Sequence, residues 1–290
     1  MDAYSAGSAA RSLEMLHSLG YFVPEVERNL VAAGLEPGRI GYFAGRVAPM
    51  GAVGGSVVTA TFFSFSPAAI DGMFPRAWEQ AAPADIIEAR YRAVGDAYVR
   101  LLGESVTGSV EMAEASELAQ TAARGIPGPE GRPLYAGYAA LPWPKEPHLV
   151  FWHALTLLRE YRGDGHIAAL QTAGLSGLEA LITHTATGTG FQQEFARTRR
   201  GWSRKEWAEA CGHLRDRELL DEQDELTAEG SELREVVEDL TDDLSLAPWA
   251  ALGEDGAARL VDLATPWRDT VIAAGVFPAG VFGPKSTLTP

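Results

Sequence analysis

The sequence has one cysteine, Cys211, and no long apolar run. A single cysteine cannot form a disulfide within the chain, and its helical neighbours Trp207 and Leu214 indicate a small core residue instead of a nucleophile. No segment approaches the ~20 apolar residues that are needed to cross a bilayer. The first residues also lack the basic and continuous apolar regions of a secretory signal. These absences predict a cytoplasmic, soluble protein with no membrane contact and no thiol chemistry.

Positive charge is also scarce. The chain has 24 Lys and Arg against 39 Asp and Glu, which gives a formal net charge of −15. Binding to a nucleic acid depends on cations that displace the counterions of the phosphate backbone. The overall charge therefore weighs against nucleic acid as a partner, although it does not exclude a local basic patch.

Most segments of the chain have the pattern of helices. With 46% hydrophobic residues, 290 residues suffice for one large or two ordinary domains with a substantial core. Apolar positions recur at helical spacing in residues 8–19, after Pro24 as far as Gly34, and in residues 83–102. The stretch "VVTATFFSF" (57–65) has strand-like composition but no partner strand nearby, so we predict a buried helix. The predicted fold class is mostly α.

Residues 125–147 contain six prolines and four glycines, too many for a continuous helix or an interior strand. We predict a domain boundary here: a helical N-terminal domain at 1–124, a linker at 125–147 and a second domain at 148–290. Exposed aromatic side chains would be a liability. We therefore expect the linker to cover the protein and Tyr138 and Trp143 to be substrate-binding residues.

The stretch "LREYRGDGHIAAL" (158–170) concentrates polar groups between two apolar helical segments. We predict that Gly163 ends the helix that begins after Pro147, and that Asp164 caps a following helix. His166 would then lie near the positive end of a helix dipole, which lowers its pKa and favours the neutral imidazole that accepts a proton. The alternative is purely structural, because capped helix pairs of this kind are common.

The candidate catalytic residues are therefore His166 as general base, Asp164 as the group that orients it, and His153 and Tyr161. The last two share one face of the same predicted helix. The candidate substrate-binding residues complete the expected site with two cations, an imidazole and three aromatic side chains: Arg46, Arg162, His17, Trp152, Tyr138 and Trp143.

Arg46 is a lone charge in the apolar segment "GYFAGRVAPMG" (41–51). A buried guanidinium needs an anion, either an acidic side chain of the protein or an acidic ligand. Metal binding is not expected, because His153, Asp164, His166 and His184 lack the spacings HxxxH, HxH or HExxH. No cofactor is expected either, since the glycines of "MGAVGG" do not form a phosphate-binding loop.

The C-terminal half resembles a winged helix of the MarR-type regulators. Two helices are followed by a third that begins with the capping box Ser203 and Glu206, and then by "LLDEQDELTAEGSELR" in the place of the wing. The segments 41–51, 158–170, "RGW" (200–202) and "LTAEG" (226–230) resemble an actinobacterial family of helix-turn-helix proteins. This resemblance implies a helical N-terminal domain packed on a winged-helix-like C-terminal domain.

Two positions depart from the pattern of that family. Tyr161 stands where the family has histidine, which alters the polar cluster of 158–170. Glu218 replaces the glycine of the family's "RGLL" turn into the wing. Any site inferred from the resemblance is therefore least secure at Tyr161.

The charges of the predicted winged helix partly favour and partly oppose DNA binding. Arg204 and Lys205 stand at the start of the presumed recognition helix, the end that enters a major groove. Residues 214–244, however, contain thirteen Asp and Glu against three Arg. A wing with this charge repels phosphates, so the sequence weighs against DNA as a partner.

The expected function is that of a small-molecule enzyme on a winged-helix scaffold. Its acid-base groups suit the cyclisation, isomerisation or elimination of a hydrophobic metabolite in specialised metabolism. One alternative is a ligand-responsive regulator, for which a homodimer would present the recognition helices. The other is a metabolite-binding protein that catalyses no reaction.

Overall fold

A computed structural model describes residues 1–286 of the chain. The mostly α fold class is confirmed. The α-helices are α1 (Ala3–Ser18), α2 (Pro24–Ala32), α3 (Arg39–Val47), α4 (Gly55–Phe62), α5 (Arg76–Gln80), α6 (Pro83–Leu102), α7 (Glu104–Thr107), α8 (Val110–Arg124), α9 (Pro133–Ala139), α10 (Pro147–Thr172), α11 (Gly177–Ala186), α12 (Gln193–Arg200), α13 (Arg204–Asp216), α14 (Ala228–Asp243) and α15 (Leu246–Ala273). Short 3-10 helices lie between these α-helices, at Leu19–Tyr21, Ala48–Met50 and Pro67–Ala69.

The chain divides into two compact units, each assembled from segments that are distant in the sequence. Unit 1 contains Met1–Gly54, Met73–Gly165 and Asp242–Phe277. Unit 2 contains Gly55–Gly72, His166–Thr241 and, of the described chain, 278–286. The proline-rich stretch 125–147 lies within unit 1 and includes α9, whose Tyr135 and Tyr138 are buried.

The core of unit 1 depends on small residues at helix contacts. Helix α15 packs against α1 and α8. The buried face of α8 is rich in alanine, and that of α1 includes Ala6, Gly7 and Ala9. Small side chains let two helices approach closely, while larger ones fill the space between the layers. The largest of the fully buried side chains here include Trp152, Tyr98, Tyr138, Phe43 and Phe151.

Helix α6 begins and ends where the sequence predicts. Its buried face includes Ile86, Val94 and Tyr98, as the apolar spacing indicates. The same face also buries Arg90, a charged residue that the spacing of apolar positions does not identify. The predicted helix at 57–65 is confirmed for residues 57–62, which lie in α4, whereas 63–65 lie beyond its end. Only one face of α4, with Val58, Thr61 and Phe62, is buried.

The prediction that a helix ends at Gly163 is wrong, because α10 continues without interruption from Pro147 to Thr172. A helix tolerates an interior glycine at a cost of about 1 kcal/mol. Gly165 instead makes room for a neighbour, since a Cβ there would collide with the guanidinium of Arg132. Asp164 consequently caps a different helix: its Oδ2 accepts the N–H groups of Leu134 and Tyr135, each at 3.0 Å, in the first turn of α9.

Unit 2 contains the helix-turn-helix segment. Gly201, in the left-handed conformation, ends α12, and the side chains of Ser203 and Glu206 form the predicted capping box of α13. Helix α13 buries Trp207, Cys211 and Leu214, as the sequence indicates. Burial raises the pKa of the Cys211 thiol to about 11, which suits a core residue.

The predicted two-stranded wing is reduced to one antiparallel bridge between Leu220 and Leu226. Asp221 organises the turn between them, because its Oδ1 accepts the N–H groups of Gln223 at 2.8 Å and Glu225 at 3.0 Å. Glu218, which precedes this turn, has φ +60°. The left-handed region favours glycine, so the glutamate at this position is strained.

Candidate functional site

Side chains of one polar cluster in unit 1 come from five elements. His17 lies in the last turn of α1, Tyr21 in the following 3-10 helix, and Arg46 in the last turn of α3. Arg90 lies in the middle of α6. Helix α10 supplies two neighbouring residues, Arg159 and Glu160. We refer to these six residues as the arginine cluster.

Glu160 is the buried anion of the arginine cluster. Nη2 of Arg46 donates to both of its carboxylate oxygens, at 2.8 and 2.9 Å, and Nη1 of Arg159 donates to Oε2 at 3.0 Å. Burial acts to raise the pKa of Glu160, but Arg46 and Arg159 outweigh burial and hold the pKa below its usual value. Arg159 also pairs at 3.2 Å with Glu14, which is partly exposed. Of the two anions that the sequence allows for Arg46, an acidic side chain of the protein is thus present.

The ring of Tyr21 lies among all three guanidinium groups. The Cζ atoms of Arg46, Arg90 and Arg159 are 5.2, 5.7 and 5.4 Å from its centroid. Such distances allow cation–π attraction. Burial raises the pKa of Tyr21, so the phenol keeps its proton at neutral pH. The buried hydroxyl has no hydrogen-bond partner within residues 1–286.

Arg90 is 3% exposed and uses one of its two terminal nitrogens. Nη1 donates to the carbonyl of Gly45 at 3.0 Å and to the hydroxyl of Tyr138. The carbonyl of Gly45 needs this donor because Pro49, four residues later, has no N–H to continue the helix. Nη2 has no hydrogen-bond partner in the described part of the chain. The guanidinium lies 5.1 Å from the centroid of the Trp152 ring system.

His17 is buried with its ring stacked on Trp152 at a centroid distance of 5.6 Å. Burial, together with the nearby Arg159, Arg90 and Arg46, holds the pKa of His17 well below its usual value. The imidazole is therefore neutral near pH 7, with one N–H donor and one acceptor nitrogen. Across residues 1–286, neither nitrogen has a hydrogen-bond partner.

His153 lies beside the arginine cluster and carries a second neutral imidazole. Its Nδ1 shares a hydrogen bond with the hydroxyl of Tyr91, and the ring of Tyr91 packs edge-on against Trp152. Trp143 packs edge-on against His153 at 4.7 Å. Burial lowers the pKa of His153 to about 4. Its Nε2 has no partner anywhere in the described residues.

The buried polar atoms that lack a hydrogen-bond partner within residues 1–286 include five in and beside the arginine cluster: Nδ1 and Nε2 of His17, the hydroxyl of Tyr21, Nη2 of Arg90 and Nε2 of His153. More than nine in ten buried polar groups of native proteins are hydrogen-bonded. Each unpaired group costs about 1–3 kcal/mol, and more when it is charged. This set includes donors and an acceptor that a polar small molecule can satisfy.

The remaining candidates of 158–170 have other neighbours. Tyr161 packs its ring against the guanidinium of Arg132, whose Cζ is 4.1 Å from the ring centroid. Arg162 pairs with Asp242 at 2.7 Å. Burial raises the pKa of Asp164 to about 6, against the opposing effect of the N–H groups of Tyr135 and Leu134.

His166 belongs to unit 2, where Nδ1 shares a hydrogen bond of 2.8 Å with the hydroxyl of Thr241. Asp164, its proposed orienting partner, belongs to unit 1 and accepts hydrogen bonds from α9. The catalytic role of His166 stays a prediction.

The structure places six of the predicted residues in or beside the arginine cluster. His17 stacks on Trp152, Trp143 packs against His153, and the hydroxyl of Tyr138 donates to the carbonyl of Arg46. The sequence reasoning did not find Tyr21, Arg90, Tyr91, Arg159 and Glu160. A weak signal existed for two of them, because Arg159 and Glu160 are adjacent opposite charges in an otherwise apolar helix.

The exposed start of α13 carries the two cations that favour DNA. Arg204 lies 3.5 Å from Glu194, and Lys205 lies 3.7 Å from Glu209, so carboxylates stand beside both charges. Arg200 packs its guanidinium over the ring of Phe65 at 4.1 Å. Carboxylates therefore offset the positive charges of Arg204 and Lys205. The turn 221–225, which follows the other end of α13 in the sequence, carries four more acids.

Within residues 1–286, no three His, Cys, Asp or Glu side chains are grouped so that they could hold a metal ion. None of the helices in that range combines the length and the apolar character that a membrane span requires.

Comparison with known proteins gives one family. A model described as a helix-turn-helix family matches residues 6–278, which is nearly the whole chain. No curated protein and no solved structure matches the chain.

Proposed function

The chain belongs to a helix-turn-helix family, and we propose that it is an enzyme that uses this scaffold to act on a small organic molecule. The proposed reaction is a proton transfer, as in a cyclisation, an isomerisation or an elimination. One observation carries the proposal: His17, Tyr21 and Arg90 bury polar atoms without hydrogen-bond partners in residues 1–286, and these side chains are neighbours, since the ring centroid of Tyr21 lies 5.5 Å from that of His17 and 5.7 Å from Cζ of Arg90.

The free-energy cost of this arrangement supports a functional role. Unpaired buried atoms destabilise a fold, and an apolar side chain of the same shape would remove the cost. Function is the usual reason for keeping such groups, because a binding or catalytic site must present them to its ligand. Arg46, Arg159 and Glu160 form the paired part of the cluster, which positions the unpaired groups.

His17 is the proposed general base. Its neutral imidazole accepts a proton from the substrate at whichever nitrogen carries none, and the resulting imidazolium can return the proton to another atom of the same molecule. Tyr21, whose phenol stays protonated, donates a hydrogen bond to an oxygen on which negative charge develops. The three guanidinium groups around Tyr21 also favour that charge. The face of Trp152 supplies an apolar surface for the body of the substrate.

His153 is proposed as a second acid-base group. The hydrogen bond with Tyr91 fixes the orientation of its ring, as a carboxylate does in other catalytic histidines. Trp143 and Tyr138 are proposed to help enclose the substrate. The proposal retains His166 and Asp164 as a separate prediction, which a His166→Ala variant tests in the same assay.

The experiment uses purified full-length protein and a mixture of small metabolites analysed by mass spectrometry before and after incubation. Liquid chromatography precedes the mass spectrometry, because an isomerisation or a cyclisation changes the retention time and leaves the mass unchanged, whereas an elimination gives a new mass. We expect new product peaks with the wild-type protein and none with His17→Phe. Tyr98→Phe is the matched control, because it also removes a polar group from the core of unit 1 but outside the cluster, and it should keep the activity. Depletion of a metabolite without a product would contradict catalysis and favour a binding protein.

A ligand-responsive DNA-binding regulator is the second candidate, favoured by the family and by the exposed Arg204 and Lys205 at the start of α13. A gel shift with random duplex DNA at low salt tests it. The acids around α13 lead us to expect no shift. A shift that salt abolishes, and that Arg204→Glu with Lys205→Glu also abolishes, would instead establish the regulator.

A further inference from the structure

Arg90 differs from the other buried arginines because it combines the lack of a carboxylate partner with an unpaired terminal nitrogen. Arg46 pairs with Glu160 at 2.8 Å, and Arg234 of unit 2 pairs with Glu238 at 2.7 Å. Arg132 donates through both terminal nitrogens, to the carbonyls of Tyr161 and Leu244. Arg90 has neither a carboxylate within salt-bridge distance among residues 1–286 nor a hydrogen bond from Nη2.

The charges around Arg90 leave one cation uncompensated. Arg46, Arg90 and Arg159 face one buried carboxylate, that of Glu160, while Glu14 supplies a second at the edge of the cluster through Arg159. An uncompensated buried charge destabilises a protein by several kcal/mol. A ligand with a single negative charge removes this cost, whereas a dianion would introduce an excess of the opposite sign.

Other groups around Arg90 indicate the shape of such a ligand. The rings of Trp152 and Tyr21 lie 5.1 and 5.7 Å from Cζ of Arg90. These rings favour a planar or apolar body next to the charged group. Because Nη1 is occupied, the ligand group must accept from Nη2, and a carboxylate accepts strong, charge-assisted hydrogen bonds from a guanidinium nitrogen.

We propose that the substrate of this site is a monocarboxylate with an aromatic or apolar body, whose carboxylate accepts a hydrogen bond from Nη2 of Arg90. The inference rests on the proposed function, because it assigns the ligand class of the same site. Arg90 then binds the carboxylate, while His17 and Tyr21 face the part of the molecule that reacts.

The test is isothermal titration of the full chain at constant ionic strength with sodium benzoate, with benzamide as the neutral analogue of the same shape, and with phenyl phosphate as a dianion. We expect benzoate to bind at least about tenfold more tightly than either analogue, a difference of about 1.4 kcal/mol. Arg90→Met should abolish the preference. Arg92→Met, an exposed arginine on the same helix, should keep it.

Several results would overturn the inference. They are equal binding of benzoate and benzamide, tighter binding of phenyl phosphate, a preference that survives in Arg90→Met, and no binding of benzoate or of the smaller formate. Circular dichroism checks the folding of each variant. If Arg90→Met does not fold, Arg90→Lys keeps the charge without the planar fork, and it should weaken benzoate binding at least about tenfold.

The inference and the proposed function fail in different ways. If the wild-type protein converts a neutral metabolite, depends on His17 for this reaction and shows no preference for benzoate, the carboxylate assignment is wrong and the enzyme stands. If benzoate binds through Arg90 but no metabolite mixture yields a product, the carboxylate assignment stands and catalysis is wrong.

Discussion

Two polar clusters along α10 are built from similar residues and differ in completeness. Around Asp164, the carboxylate caps α9, Arg132 donates to two carbonyls, and Tyr161 packs against the Arg132 guanidinium. Around His17, the arginine cluster keeps buried donors and an acceptor without partners in residues 1–286. A buried polar network stabilises a fold when all its groups have hydrogen-bond partners. It destabilises the fold when some groups lack partners, unless a ligand supplies them. The contrast separates a structural cluster from a candidate site.

The largest expected difference between the two clusters is in the effect of removing an arginine. Arg132→Met leaves the carbonyls of Tyr161 and Leu244 without their donor, so we expect a loss of about 2–5 kcal/mol in the free energy of unfolding. Arg90→Met also loses two bonds, but it removes an uncompensated buried charge, so the net loss should be at most about 1 kcal/mol. Urea denaturation measures both. Equal losses would contradict the distinction between the clusters.

Asp164 allows the closed cluster to be opened by one substitution. Asp164→Ala leaves the N–H groups of Leu134 and Tyr135 unpaired, and we expect a loss of about 1–3 kcal/mol. Asp164→Asn keeps an acceptor oxygen and should lose less. If the two variants are equally stable, the cap on α9 is not what Asp164 contributes.

Asp164 also predicts a dependence of stability on pH. Its pKa is about 6 in the folded protein and near 3.8 in an ordinary carboxyl, so the folded state retains a proton that the unfolded state loses in this interval. Stability should therefore fall as the pH rises from about 4 to about 6. Thermal unfolding of Asp164→Asn, which has no carboxyl group, should lack this component.

His17 provides the opposite test in the open cluster. His17→Phe keeps the stacking on Trp152 and removes two unpaired nitrogens, so the variant should be as stable as the wild type at pH 7, or about 1 kcal/mol more stable. Tyr98→Phe removes a satisfied hydrogen bond of 2.8 Å to the carbonyl of Leu16 and should cost about 1 kcal/mol. A large loss from His17→Phe would show that the imidazole is structural.

His17 should also affect stability in acid, with a sign opposite to that of Asp164. Its pKa is well below 6.5 in the folded protein, so the unfolded state binds a proton first and stability falls as the pH drops below about 6.5. His153, with a pKa of about 4, contributes in the same direction between about 6.5 and 4. Unfolding measured against pH should therefore show a shallower acid loss in His17→Phe than in Tyr98→Phe.

An expected gain in stability lies outside both clusters, at Glu218 in unit 2. Glycine adopts the φ of +60° without strain, so Glu218→Gly should stabilise the protein by about 1 kcal/mol. The measurement is the shift of the urea midpoint. This variant relieves backbone strain without removing a buried polar group. Its change in stability is therefore a reference for the changes measured in the two clusters. A neutral or negative effect would show that the side chain of Glu218 offsets the strain.

Local patterns of the sequence were enough to predict the parts of the fold that depend on neighbouring residues. The bounds of α6 follow from Pro83 and the helical spacing, and the start of α13 follows from the spacing of Ser203 and Glu206. The acidic character of the wing segment is a matter of composition. The candidate site was found only in part, through Arg46, His17, His153 and the aromatic residues near them.

The sequence by itself determined a mostly helical protein with an acidic helix-turn-helix segment, because helix propensity, capping and charge depend on residues a few positions apart. Only the tertiary structure decided that α10 continues through Gly163, that Asp164 caps α9, and that Arg90 lacks a carboxylate partner within residues 1–286. The cap at Asp164 and the surroundings of Arg90 depend on groups that meet across about 30 residues or more of chain. Whether a buried charge has a partner of opposite charge depends on these long-range contacts, and the spacing of residues along a helix does not predict them.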